Sequence, residues 1–313
     1  MKLSMHTLAD NLTKYQPEIN ITEGRRVLQN ARICTNENKI SLSSVFLTEM
    51  SSGRILCANG KDTLILHSED IFEVLNDILE IFDKYNDFEM KAEAMIEAGC
   101  SAEELLQEFA ALTGLSFILA DATFWAYATA FASEEFDKEN YVQIIKNGSL
   151  LPLDALTEVN KLPFIRTKGI GPYHIDIPGS ELVYTTTRNM FRGDSHVGWL
   201  VALKMLAATG QGELDLIDEL GNIVEKMLLR DSDSTISLEK TSMFLDILED
   251  RPVDLEKVIA RLSSFGWYED DRKVVYAMQY RSQKGEASHA IDSRIGSFTD
   301  NTFQMYFQDT MIL

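Results

Sequence analysis

From Ile71 to Tyr85 the apolar positions Ile71, Leu75, Ile78, Phe82 and Tyr85 fall at steps of four, three, four and three residues, the seam of a heptad. That spacing predicts one long helix over residues 69–98. Ser68 caps it, Glu69 and Asp70 occupy the first turn, where the helix dipole favours acids, and Gly99 ends it. Glu89 interrupts the seam, while Phe72, Leu79, Ile81 and Phe88 widen the apolar surface. A helix this apolar needs a cover. Two readings fit: a parallel coiled-coil stalk between two copies, with Ile71, Leu75, Ile78, Phe82 and Tyr85 as the dimer seam, or a helix packed inside its own chain. The stalk is the expectation.

Residues 1–68, ahead of this helix, read as a small α/β unit. A first helix, from Ser4 to Tyr15, carries Leu8 and Leu12 on one face and stops before Pro17. Short apolar segments follow at 27–34, 40–47 and 55–66, the last split by Asn59-Gly60, a strong hairpin-turn pair. Beyond the long helix, Ser101 and Glu104 form a capping box for a helix ending near Gly114. The pattern then turns strand-like over 115–120 and 123–131, around a turn at Asp121-Ala122. Helical stretches at 141–146 and 153–159 precede strands at 173–177, 181–187 and 196–203, and an amphipathic helix at 214–229 closes the segment. The remainder predicts helices at 238–249, 254–265 and 287–295, with strands at 273–280 and 303–313; ending on an apolar strand, it reads as a domain cut short.

The expected class is therefore α+β and multidomain. It comprises an N-terminal domain (1–68), a linker or dimerisation helix (69–99), a sensor-like antiparallel sheet domain (100–235) and an incomplete C-terminal domain (236–313). The net charge of −20 then removes one class of function from these residues. Nucleic-acid affinity rests on Lys and Arg neutralising phosphates; the first 68 residues are near neutral and the other segments are acidic. Cys34, Cys57 and Cys100 form no CxxC pair and have no histidine at ligand spacing, so they read as free thiols in a reducing compartment and no metal site is expected. With no signal-peptide pattern and no apolar run near the roughly 18 residues of a membrane span, a cytoplasmic protein with no membrane partner is expected.

Strand, strand, helices, three strands, helix is the order of a GAF- or PAS-like sensor. Three stretches extend that likeness. They are FILADATFWAYATA at 117–130, VGWLVAL at 197–203 with the helix after it, and MFLDILEDRPVDLEKVIARLSSFGW at 243–267, followed by Val274-Val275-Tyr276. Over roughly residues 70–313 the chain resembles the PucR/CdaR-type bacterial transcriptional regulators. The resemblance implies a GAF-like sensor followed by a degenerate GGDEF-like domain. In that family a C-terminal helix-turn-helix binds DNA; this sequence ends before such a segment, so the likeness assigns DNA binding to no residue here.

No catalytic set emerges, and the expectation is a non-enzyme without cofactor. A GGDEF-like cyclase needs carboxylates at the end of its first strand to hold two metal ions, whereas this strand ends Gln279-Tyr280-Arg281-Ser282 and the GG(D/E)EF hairpin is missing. His6, His67, His174, His196 and His289 are scattered, and Gly169-Ile170-Gly171-Pro172 lacks the residues of a phosphate loop. What remains is a ligand pocket between sheet and covering helices, with Trp125, Tyr141, Phe164, Arg166, Tyr173, His174 and Trp199 as its candidates. Strand alternation sets His174 opposite to Tyr173, so the two cannot line one wall. Arg166 and Arg188 would favour an anion. The expected protein is a homodimeric, effector-responsive regulator fragment; the alternatives are a constitutive scaffold with an empty sensor, or an enzyme of unfamiliar site.

Overall fold

The computed structural model describes residues 1–34, 41–51, 53–121, 126–132, 162, 166–176, 182–193 and 195–230; beyond these it describes 247–248, 250, 270, 272, 274–279, 305–307 and 310–312. The protein is α+β. It divides into two compact units, Met1–Cys100 with Thr209–Ile223, and Ser101–Ala208 with Val224–Leu313.

The first unit opens with α1 (Met5–Asn11), capped by the Ser4 hydroxyl, which accepts from the Thr7 N–H, and continued by a single 3-10 turn, Thr13–Tyr15. Five strands follow: β1 (Glu18–Asn20), β2 (Asn30–Ile33), β3 (Ser44–Met50), β4 (Arg54–Asn59) and β5 (Asp62–His67). They form one sheet in the order β1-β5-β4-β3-β2, antiparallel except for the parallel β2–β3 pair. The expected hairpin across Asn59-Gly60 is β4–β5, with Asn59 paired to Asp62. Alternation then buries Ile55 and Cys57 from β4, and Asp62, Leu64 and Leu66 from β5. Burial pushes the Cys57 thiol up to about 12, so it stays protonated. Desolvation pushes the Asp62 carboxyl up, but the Glu23, Thr22 and Gly24 N–H groups donate to it and hold it below its usual value. One buried acid thus pins the loop behind β1.

The long helix, α2 (Ile71–Glu97), begins two residues later than expected, because the Asp70 carboxylate accepts from the Phe72 and Glu73 N–H groups. Its seam is spent inside the chain. Ile71, Ile78, Phe82 and Tyr85 are buried together with Val74, Ile81, Phe88, Ala92 and Ile96, and Leu75 is half-buried. Tyr85 meets Asn11 of α1, and the N-terminal amine meets Asn86 and Glu89. Each large side chain so covered contributes about 1.5–3 kcal/mol, and the covered surface is no longer open to a seam between copies. The expected dimer seam Ile71, Leu75, Ile78, Phe82 and Tyr85 is therefore corrected to intrachain packing. The domain division changes with it, since α2 belongs to the N-terminal unit rather than linking two others.

The closing helix, α4 (Gln211–Arg230), follows in the fold after α3 (Ala102–Thr113) and was expected wholly within the sensor. Its residues up to Ile223 belong to the first unit instead. Arg26 pairs with Asp218 at 2.5 Å and Glu219 at 3.3 Å, and the Ser4 hydroxyl donates to Asp215. Gly212 makes the approach possible: a Cβ there would collide with the Asp10 carboxylate and sit 2.8 Å from the His6 carbonyl oxygen.

In the second unit the Ser101–Glu104 capping box opens α3 as expected. Its sheet contains β6 (Ser116–Asp121), β7 (Ala126–Ala130), β8 (Tyr173–Ile175), β9 (Val183–Arg192) and β10 (Ser195–Met205), ordered β7-β6-β10-β9-β8 and antiparallel throughout. Phe109 of α3 meets Phe117 of β6 edge-on at 6.0 Å, and Val224, Met227 and Leu228 of α4 are buried. The helices expected at 141–146, 153–159, 238–249, 254–265 and 287–295 lie outside the described residues, apart from Ile247–Leu248, which are helical. So does most of the GGDEF-like expectation. Its described part is a three-stranded antiparallel sheet of β11 (Ala277–Gln279), β12 (Met305–Phe307) and β13 (Thr310–Ile312). The last apolar run, expected as one strand, makes two.

Candidate ligand-binding site

Residues paired directly across an antiparallel ladder share a face, and alternation carries that face along each strand. The pairings Tyr173↔Thr187, Trp199↔Asn189 and Val201↔Thr187 set Tyr173, Thr187, Asn189, Trp199 and Val201 on one face of the second sheet. His174, Thr186, Arg188 and Leu200 occupy the other, together with Phe117, against which α3 packs.

The helix-covered face is closed electrostatically. Arg188 is 8% exposed, and its Nη1 donates to Glu225 of α4 at 3.0 Å and to the Asn189 carbonyl at 3.3 Å. Glu225 also accepts the Phe191 backbone N–H at 2.8 Å. A buried cation is matched by a carboxylate that is itself held on two sides. At the edge of the same face, exposed His174 shares a 3.0 Å hydrogen bond with Thr186.

The opposite face is built differently. The Tyr173 hydroxyl donates to Asn189 Oδ1 at 2.8 Å, and Asn189 Nδ2 donates to the Thr167 carbonyl at 3.2 Å, so the amide is oriented by both neighbours and ties the 166–168 segment to the sheet. Lys168 adds a bond to the Gly193 carbonyl at 2.7 Å. Burial pushes the Tyr173 phenol above its ordinary value, partly offset by the Trp199 indole. Arg166, at a φ of +63°, holds its guanidinium carbon 5.9 Å from the centre of the Trp199 ring. Left-handed backbone is costly for a side-chain-bearing residue and gathers at ligand clamps.

His196 completes this face. The β9–β10 register shifts between His196 and Gly198, and this bulge leaves His196 opposite Phe191. Gly198 allows it: at a φ of +150°, a Cβ there would overlap the Ala120 carbonyl oxygen and lie 2.8 Å from Asp121 Cα. The His196 ring lies 5.4 Å from Phe191, edge-on, and 4.6 Å from Trp199. Burial first, and the Arg166 charge second, push its pKa down to about 3 against a smaller pull from the Gly198 backbone. The ring is neutral, one nitrogen a donor and the other an acceptor. Both nitrogens are shut off from solvent; the Gly198 backbone is the polar group that reaches the ring, and neither nitrogen makes a hydrogen bond of ordinary geometry to the described residues.

The structure thus brings together three of the expected residues, Arg166, Tyr173 and Trp199. Trp125, Tyr141 and Phe164 lie outside the described residues. His174 is corrected: it points away from the Tyr173 face, into solvent. Arg188 also leaves the anion-binding candidates, since Glu225 neutralises it on the helix side. Sequence reasoning missed Asn189, Phe191 and His196. The available signal was Gly198, a glycine inside a strand pattern, which marks a bulge or a close backbone approach.

No protein-family model matches the chain, and no curated protein does. Among solved structures, the cofactor-binding GAF domain of the nutrient sensor CodY from Clostridium difficile is similar at 12% identity with a TM-score of 0.30, over 48% of this chain and 96% of that one. So loose a likeness fixes neither fold nor ligand.

Proposed function

We propose that the second unit is a GAF-like small-molecule sensor within a homodimeric bacterial transcription regulator of the PucR/CdaR kind, and that it is not an enzyme. One observation carries this: one face of the sheet holds Tyr173, Asn189, Trp199 and His196, with Arg166 over Trp199, and the His196 ring nitrogens are shut off from water without a hydrogen bond of ordinary geometry to the described residues. Native proteins satisfy nearly all buried polar groups with protein or ordered water, so such a group leaves a place for a bound molecule, water or ligand. The described carboxylates with displaced pKa values, Asp62, Asp77 and Glu104, are all held low, and none has the raised value of a general acid. Among the described residues no three acidic, histidine or cysteine side chains cluster as metal ligands. The charge of −20 directs any DNA contact to residues other than these. For dimerisation, the support is the exposed Phe72 and Met90 of α2. Effector binding would act by favouring one of two packings, which requires different affinity for each.

Thermal-shift screening of the 313-residue protein against purines, sugar diacids and small aromatic acids tests the sensor. At least one class raises the melting temperature in a saturable way; indifference of the folded protein to all three refutes it.

A further inference from the structure

We propose that His196, Arg166, Phe191 and Trp199 form the subsite for the carboxylate end of a small, flat, aromatic acid. This rests on the sensor reading and narrows it to one ligand class. Three observations independent of one another converge on these residues. The two nitrogens of the His196 ring are shut off from solvent and make no hydrogen bond of ordinary geometry to the described residues, and a neutral imidazole offers an N–H that a carboxylate oxygen can accept. The bulge at 196–198, permitted by Gly198, aims that ring onto the Trp199 face instead of the α3 face. Arg166 is held in left-handed backbone over Trp199, where its charge is felt at the His196 ring.

The chemistry selects by exclusion as well as by fit. A cationic ligand would meet the guanidinium. A sugar diacid would bring hydroxyl groups against Phe191 and Trp199, which offer ring faces and edges. An aromatic carboxylate meets a cation and a neutral donor at its charged end and aromatic rings along its body. Before the ligand arrives desolvation keeps this ring neutral, with one N–H to donate, and a carboxylate set against it would favour its proton further.

The test is a titration of the 313-residue protein with benzoate and benzamide, followed by tryptophan fluorescence and calorimetry, in the wild type, Arg166→Met and His196→Phe. Benzoate binds saturably, benzamide at least tenfold more weakly, and both variants lose at least tenfold in benzoate affinity while keeping the wild-type circular dichroism. Should a variant fail to fold, imidazole 15N spectra of the wild type replace it: benzoate shifts one buried ring, of neutral tautomer at pH 6. Benzoate binding that is equal in wild type and variants, or that moves no imidazole, overturns the subsite and leaves the sensor standing. A thermal shift with a purine or a sugar diacid but none with benzoate overturns the ligand class alone. Silence toward every class overturns sensor and subsite together.

Discussion

The two faces of the second sheet hold buried polar groups a few residues apart and treat them in opposite ways. Beneath the helices, Arg188 finds Glu225, and Glu225 finds the Phe191 N–H as well. On the other side, the imidazole nitrogens of half-buried His196 are shut off from water and make no hydrogen bond of ordinary geometry to the described residues. The same strand, β9, supplies both environments, Arg188 to one and Asn189 and Phe191 to the other. The difference separates architecture from recognition. A group whose needs are met inside the fold holds the fold together, whereas a group left wanting costs stability and, on the proposed reading, is met by the ligand.

The comparison is broken most forcefully from the satisfied side. Arg188→Met leaves the Glu225 carboxylate without its cation and is expected to lower unfolding free energy by about 3–5 kcal/mol in urea denaturation. Arg188→Met with Glu225→Met recovers much of that loss; a double variant as unstable as the single one would show that the pair is not a closed unit. Next comes Gly198→Ala, whose methyl group has no room beside the Ala120 carbonyl. It is expected to cost about 3 kcal/mol and to move the His196 ring signals. A Gly198→Ala protein of wild-type stability would mean that the bulge is not held by that close approach.

The sequence announced some of this and could not announce the rest. The Ser101–Glu104 box, the Asn59-Gly60 hairpin and the strands of the second unit near 115–120, 173–177 and 196–203 were legible because each depends on neighbours in the chain. Alternation correctly parted Tyr173 from His174, although it could not tell which one faced the site. The heptad from Ile71 to Tyr85 named the apolar side of α2 but not its cover, because periodicity is the same whether a copy or the chain's own sheet lies against it. β1 passed unseen: three residues, Glu18 to Asn20, all exposed, have no pattern to show. His196 looked like one of five scattered histidines. Its importance comes from pairing with Phe191 across a bulge and from an arginine some thirty residues earlier, and cross-strand register is not written in local spacing.

From the unsatisfied side the sharpest probe is pH. The folded His196 pKa of about 3 lies below the unfolded value near 6.5. The unfolded chain therefore takes up a proton that the folded chain refuses, so this contribution is whole above pH 6.5 and is lost as pH falls toward 3. At about 1.36 kcal/mol per pH unit, the wild type should lose about 2 kcal/mol between pH 6.5 and 5 that His196→Phe does not lose. Parallel urea titrations at the two pH values measure it. Equal losses in the two proteins would mean that the ring is protonated or solvated in the fold, and the contrast between the faces would vanish.

The smallest effect asks whether the unsatisfied face also contains ordinary structural bonds. Tyr173→Phe removes the hydroxyl that donates to Asn189 Oδ1 and keeps the ring. The net worth of such a bond is about 1 kcal/mol, and buried Asn189 keeps its Nδ2 bond to the Thr167 carbonyl. A loss near that size, unchanged between pH 6.5 and 5, would class Tyr173 with Arg188 as a group serving the fold. A negligible loss of stability combined with weakened benzoate binding would class it with His196 instead. The boundary between architecture and recognition would then run along β8 rather than between Asn189 and His196.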